Sequence, residues 1–203
     1  MKKVVFCLVV FFLAGSACAV VVDDFEDGDY SGPEWWMFDK ITPQVVKNSD
    51  GEKSKGKYSL EITGEVRGWY SGGIGMYVAD KADCEKTGSM ILDVYGYGKD
   101  SGQIKIEVTD DDNLNWDCEQ DDNYKLIKDD QLVYQFPVNW EGWKTVKIPL
   151  SKFKDSNPGI GDDEFNPEKG DGSSGGLLQF NIIFIGAKSS GAVHVKIDNI
   201  VFE

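Results

Sequence analysis

The residues best equipped for chemistry in this chain are carboxylates. The densest run, Asp23-Asp24-Phe25-Glu26-Asp27-Gly28-Asp29, follows directly on an apolar leader. Such runs supply the hard oxygen donors that calcium takes, about six to eight per ion. A second run, Asp110-Asp111-Asp112-Asn113, fails as an EF-hand. Its fifth position would be Leu114, its sixth Asn115 rather than Gly, and its twelfth Asp121 rather than Glu. It reads as a solvated loop. Groups for catalysis are scarce. The one histidine, His194, falls on the non-core side of an alternating strand, which removes histidine-assisted triads and histidine-rich zinc sites. Residues 172–176 spell G-x-S-x-G inside a Gly/Ser-rich loop, whereas a nucleophile elbow joins a buried strand to a helix. No phosphate-cradling G-x-x-x-x-G-K-[ST] occurs. A carboxylate pair can hydrolyse a glycoside, but among 35 acids no pair stands out. A non-enzyme is expected.

The 203 residues carry 35 acids against 21 bases, a net charge of −14. A nucleic-acid partner is excluded, since phosphate neutralisation needs clustered Lys and Arg. Lys2 and Lys3, an apolar stretch over 4–14 and the small residues 15–19 have the form of a signal peptide. Ala17-Cys18-Ala19 fits the cleavage pattern, so residues 1–19 are removed and 20–203 form one domain. The apolar stretch is too short to span a bilayer. A lipoprotein acylated on Cys18 is the alternative, but Gly15 stands where that signal needs a Leu-like residue. A secreted, periplasmic or cell-surface protein follows. Cys84 and Cys118 then remain, and an oxidising compartment favours one disulfide between them over two free thiols. They flank segments 88–96 and 103–109, which read as a hairpin with both cysteines at one end.

Strands must position these groups, for helical periodicity is absent from the mature chain. Ile104, Ile106 and Val108 alternate with Lys105, Glu107 and Thr109, and Val193, Val195 and Ile197 with His194, Lys196 and Asp198. Leu178, Phe180, Ile182 and Phe184 form another such row. Further strands are expected at 20–25, 41–47, 58–63, 68–78, 90–95, 132–138 and 143–149, with one helical turn at 150–153. About ten short strands without crossover helices make an all-β antiparallel sandwich of two sheets. Residues 110–130 and 155–176 interrupt the pattern as long loops.

The chain begins VVDDFED, ends VKIDNIVF, and holds GWKTVKIPLSKF and GKYSLEITGEVRGWYSGG between. In this order the segments resemble the family 11 carbohydrate-binding modules and their galactose-binding-like jelly-roll relatives over nearly the whole mature chain. The resemblance implies a jelly roll whose concave cleft binds a polysaccharide, with structural calcium away from the cleft near the chain ends. Phe25 should point into the core, so alternation puts Asp24 and Glu26 together on the other side. The first and last strands of a jelly roll are neighbours, which brings Asp198 of IDNI to them. Asp24, Glu26 and Asp198 are the expected calcium ligands, completed by backbone carbonyls of residues 51–56. Asp27 and Asp29 are turn acids.

Trp69 matches the family's aromatic after a glycine and is the expected stacking platform. Asp93, Tyr95, Lys105, Glu107, Gln179 and Asn181 lie on non-core strand faces, and Asp155 falls where the family places polar contacts. Trp143 and Phe153 read as core anchors; of Trp35 and Trp36, one is buried and the other borders the cleft. The late strand departs from the family, reading FNIIFIG with Ile182 and Ile185 where the family presents His and Tyr. The expected protein is a secreted, monomeric, calcium-stabilised module that binds a β-glucan or other cell-wall glycan. A cell-surface interaction domain that lost the sugar site is the alternative.

Overall fold

A computed structural model describes residues 19–30, 35–49, 56–78, 87–167 and 175–203. The leader, the 51–56 loop short of Gly56, and Cys84 lie outside these residues; Cys118, the expected disulfide partner of Cys84, is a free thiol. The regular secondary structure of the described chain is nearly all strand: β1 Val20–Asp23, β2 Trp36–Asp39, β3 Ile41–Lys47, β4 Tyr58–Arg67, β5 Tyr70–Tyr77, β6 Ser89–Tyr97, β7 Gly102–Asp110, β8 Gln131–Val138, β9 Glu141–Pro149, β10 Lys154–Asp155, β11 Leu177–Ile185 and β12 Ser190–Phe202. Leu150–Lys152 form a 3₁₀ turn between β9 and β10. Among the described residues no helix is long and apolar enough to cross a membrane.

All pairings are antiparallel and sort into two layers. One runs β2-β5-β11-β7-β8-β10; the other runs β3-β4-β12-β6-β9, with β1 alongside the end of β12. A single pair, Arg67 opposite Tyr70, joins them, where the chain turns between layers at Gly68, whose φ of +90° suits glycine. Alternating side chains of both layers meet inside. Ile104, Ile106, Val108, Phe180, Ile182 and Phe184 come from the first, and Leu60, Ile62, Leu92, Val94, Val195 and Ile197 from the second, all without exposed surface. Phe180 meets Phe202 edge-on across the layers at 6.3 Å and Trp35 at 6.3 Å. This is the expected jelly-roll β-sandwich.

Segments 88–96 and 103–109 are not a hairpin. β6 pairs with β12 and β9, while β7 pairs with β11 and β8, so the chain arches from one layer to the other through 98–101. Period-two alternation names the buried face of a strand but not its partner. Trp143 is likewise no core anchor: it stands opposite Tyr95 on the outer face of the second layer, whereas Phe153 is in the core.

The seam between first and last strands is closed by hydrogen bonds. Val20 stands opposite Phe202, and Asp23 opposite Ile200. Asp23 accepts from the Phe25 amide at 2.7 Å and from Trp35 Nε1 at 2.6 Å, fixing the buried indole to the end of β1. Asp23→Ala leaves both donors without their acceptor. A loss of about 1–3 kcal/mol is expected, read as a lower denaturant midpoint at unchanged slope.

Candidate functional site

The outer face of the first layer carries aromatic rings beside amides and charges. Cross-strand register builds it in rows. Trp36, Gly75, Asn181 and Glu107 form one row; Phe38, Gly73, Ile183 and Lys105 the next; Tyr77, Gln179 and Thr109 a third. Glycines at 73 and 75 let rings lie down on the sheet. A Cβ on Gly73 would be 2.2 Å from the Phe38 ring, and one on Gly75 would be 2.6 Å from the Trp36 ring. Trp36 and the exposed Tyr77 meet at 4.9 Å. Lys105 and Glu107 neutralise each other at 2.6 Å. Asn181 Oδ1, beside Gly75, has no hydrogen-bond partner.

Lys105, Glu107, Gln179 and Asn181 therefore lie together on this face. Trp35 is buried and Trp36 is the tryptophan on this face. Trp69 stands at the β4–β5 turn, exposed, its ring 4.4 Å from Tyr70 at the rim. Asp155 sits on the edge strand β10 opposite Leu132, with the core parity of β8, and accepts from the Asn157 amide. Asp93 and Tyr95 do not join the set, because β6 belongs to the other layer. Asp93 is buried and bonded to Thr145 and Asn199, while Tyr95 packs with Tyr97, Trp143 and Lys196. On that opposite face His194 stacks on Tyr97 at 3.6 Å and meets Glu61 at 2.9 Å. Ile182 points into the core; Ile183 and Ile185 are the apolar residues of β11 on the outer face. Phe38 and Tyr77 were missed. The glycine alternation of Ser71–Tyr77 is the signal that would have marked large rings lying across a strand.

Near the seam, the alternation argument fails while its conclusion about Phe25 holds. β1 ends at Asp23, and Phe25 reaches the core through a turn, with φ +53° and no exposed surface. Glu26 Oε1 accepts from the amides of Lys57 at 2.6 Å and Tyr58 at 2.9 Å, tying the first turn to β4. The carbonyl of Gly56 accepts from Asn48. Asp27 accepts from the Asp29 amide, as a turn acid should. Asp198 sits where β12 bulges against β6, between Asp198 and Val201, with Asn199 at φ +47°. It has no exposed surface, its Oδ2 has no partner, and burial pushes its carboxyl up to about 7, reinforced by Asp93, Glu26 and Asp24.

The acids of the run at 110–113 are not a solvated loop: Asp112 is half-buried, and only Asn113 is exposed. Asp110 and Asp111 have no exposed surface. Asp110, Asp112 and Asp130 form a cluster that can hold a metal ion: one oxygen from each lies within 4.8 Å of the others, the one such trio among the described residues. Asp111 accepts from the amides of Asn115 and Trp116 instead. Cys118, in the same loop, places its Sγ 3.0 Å from Gln179 Oε1 at the end of the aromatic face.

No protein-family model and no curated protein match the chain. Solved structures do. The family 11 carbohydrate-binding module of the cellulosomal cellulase Lic26A-Cel5E of Clostridium thermocellum superposes with a TM-score of 0.57 at 17% identity, covering 93% of this chain and 95% of that one. The Clostridium thermocellum family 11 module in complex with a β-1,3-1,4-mixed-linked tetrasaccharide gives the same TM-score and identity, with coverage of 93% and 96%. The CBM22-1 xylan-binding domain of Paenibacillus barcinonensis Xyn10C follows at 0.50 and 14%, covering 93% and 97%. The chain has the jelly-roll fold of these carbohydrate-binding modules.

Proposed function

We propose that this chain is a secreted, non-catalytic module that binds a neutral polysaccharide across the outer face of its first layer. One observation carries the reading. Trp36, Phe38 and Tyr77 present rings on the same surface as Gln179, Asn181, Lys105 and Glu107. Flat rings accept the C–H faces of pyranoses, and amides with a paired Lys and Glu bond the hydroxyls. The net charge of −14 disfavours acidic glycans. One structural neighbour is in complex with a β-1,3-1,4-mixed-linked tetrasaccharide and another is a xylan-binding domain, and a β-glucan or another cell-wall glycan is the substrate class that fits.

A structural calcium at the seam belongs to the same reading. Asp198 Oδ2, buried and unpartnered among the charges of Asp93, Glu26 and Asp24, fits a cation. Asp24, Glu26 and Asp198 are the proposed ligands; their oxygens do not already stand within 4.8 Å of one another, so the exposed Asp24 and Glu26 would turn onto Asp198 to hold the ion.

Affinity electrophoresis against soluble glucans, xylans and mannans tests the face. Retardation by at least one glycan is expected, with affinity falling about tenfold in Trp36→Ala and in Tyr77→Ala. Trp69→Ala, at the rim, should lose less. Absence of retardation on every glycan removes this reading in favour of an interaction domain that kept the fold.

A further inference from the structure

We propose that Asp110, Asp112 and Asp130 bind a second calcium ion, which ties together the two long loops at the end of the sandwich. Register explains why these residues meet. Thr109 stands opposite Gln131, so the end of β7 and the residue preceding β8 are neighbours, and the 111–130 loop leaves and returns at one point.

The oxygens there are short of donors. Asp110 Oδ1, Asp112 Oδ1 and both carboxylate oxygens of Asp130 are buried without a hydrogen-bond partner, and Asp110 and Asp130 have no exposed surface. The Glu164 amide lies near enough to Asp130 to lower its carboxyl somewhat, but donates to Asp162 Oδ1 at 2.9 Å. The other long loop reaches the same place. Asn166 donates its backbone N–H to Asp110 Oδ2 at 2.8 Å, and its side-chain Oδ1 is itself buried and unpartnered. Gly161 of that loop closes in from another side: a Cβ there would lie 2.2 Å from Asp112 Oδ2 and 2.5 Å from Asp130 Oδ1. Among the described residues no lysine, arginine or histidine forms an ion pair with these acids.

Buried carboxylates held this close repel one another unless a cation or protons compensate. Burial pushes Asp110 up to about 8, Asp112 to about 6 and Asp130 to about 7, with neighbouring acids adding to each shift. The donor chemistry selects the ion. All donors are oxygens, whereas structural zinc sites are built from cysteine sulfur and histidine nitrogen. Their irregular placement on two loops suits the larger, variable shell of calcium, while magnesium demands near-ideal octahedral geometry and retains its waters. The seam is elsewhere in the fold: Asp198 is on β12 of the second layer, and this cluster lies at the β7–β8 edge of the first.

The test is calcium content of the purified chain after equilibrium dialysis against calcium chloride. Asp112→Asn/Asp130→Asn should bind one ion fewer than the wild type, while Asp198→Asn, which disables only the seam, should keep the loop ion. Equal content in wild type and the double variant overturns the proposal. Wild-type hydrogen exchange gives a reading that needs no variant. With free calcium at 100 times the dissociation constant, exchange of the Asp130 and Asn166 amides should slow about 100-fold relative to chelator. This protection should persist in Asp198→Asn. Identical exchange with calcium and with chelator overturns the loop site, whatever the seam does.

Discussion

Gly75→Val is expected to weaken glycan binding by more than about thirtyfold while the protein remains folded. Gly75 lies in the middle of β5 with Trp36 on one side and Asn181 on the other. A Cβ there would stand 2.1 Å from Asn181 Oδ1 and 2.6 and 2.7 Å from Trp36 Cε2 and Cζ2. Neither contact is tolerable, so the ring must lift and the amide must turn. Both proposed contacts with the sugar, stacking and hydrogen bonding, are disturbed by one substitution. The backbone itself does not resist, because Gly75 is not among the glycines with positive φ. Overpacking costs about 1–3 kcal/mol, partly offset by the preference of valine for strands. Calorimetric titration with the best-retarded glycan measures the affinity, and denaturant unfolding measures the stability. Gly88→Ala, which meets nothing within 4 Å, is the control and should change stability by less than about 0.5 kcal/mol. Wild-type affinity in Gly75→Val would mean that the sugar, if bound, lies elsewhere.

The glycines show how far the sequence could be read. Strands with apolar residues at every second position were legible because one face must be buried: the spans 41–47, 132–138 and 143–149 reappear within two residues of Ile41–Lys47, Gln131–Val138 and Glu141–Pro149. The same alternation placed Lys105, Glu107, Gln179 and Asn181 on an outer face. It could not say which layer a strand joins, and so it gave no warning that Asp93 and Tyr95 face the opposite way. β2 escaped because its Trp36–Asp39 run is short and takes its partner from β5, far along the chain. The run at 110–113 was misread for a related reason. Acids in sequence look solvated, and only the return of the chain at Asp130 and the approach of Gly161 and Asn166 bury them. That information is held in loop closure, which no local pattern encodes. Phe25 is the opposite case. Its burial was foreseen, but the turn that produces it, with φ +53°, was not.

Asp198→Asn is expected to have opposite consequences with and without calcium. On the proposed seam site the wild-type carboxylate is a ligand in calcium, and binding adds RT ln(1 + [L]/Kd) to stability, about 2.7 kcal/mol at 100 times the dissociation constant. For a chain of this size that is a shift in Tm of roughly 5–10 °C. The asparagine variant forgoes the seam ion and should melt lower by a shift of that order. In chelator the balance reverses. Asp198 is then a fully buried acid with an unpartnered Oδ2, repelled by Asp93, Glu26 and Asp24. Asparagine keeps the bond that Oδ1 accepts from the Asn199 amide and removes the charge, so the variant should melt no lower than the wild type. The crossing is what identifies a ligand. A residue that merely packed would lower Tm by the same amount in both buffers, and that parallel loss would rule out calcium at the seam. The variant should still respond to calcium through the separate loop cluster of Asp110, Asp112 and Asp130. A residual rise of Tm in Asp198→Asn on adding calcium, absent once Asp112 and Asp130 are also asparagine, would assign each part of the stabilisation to its own ion.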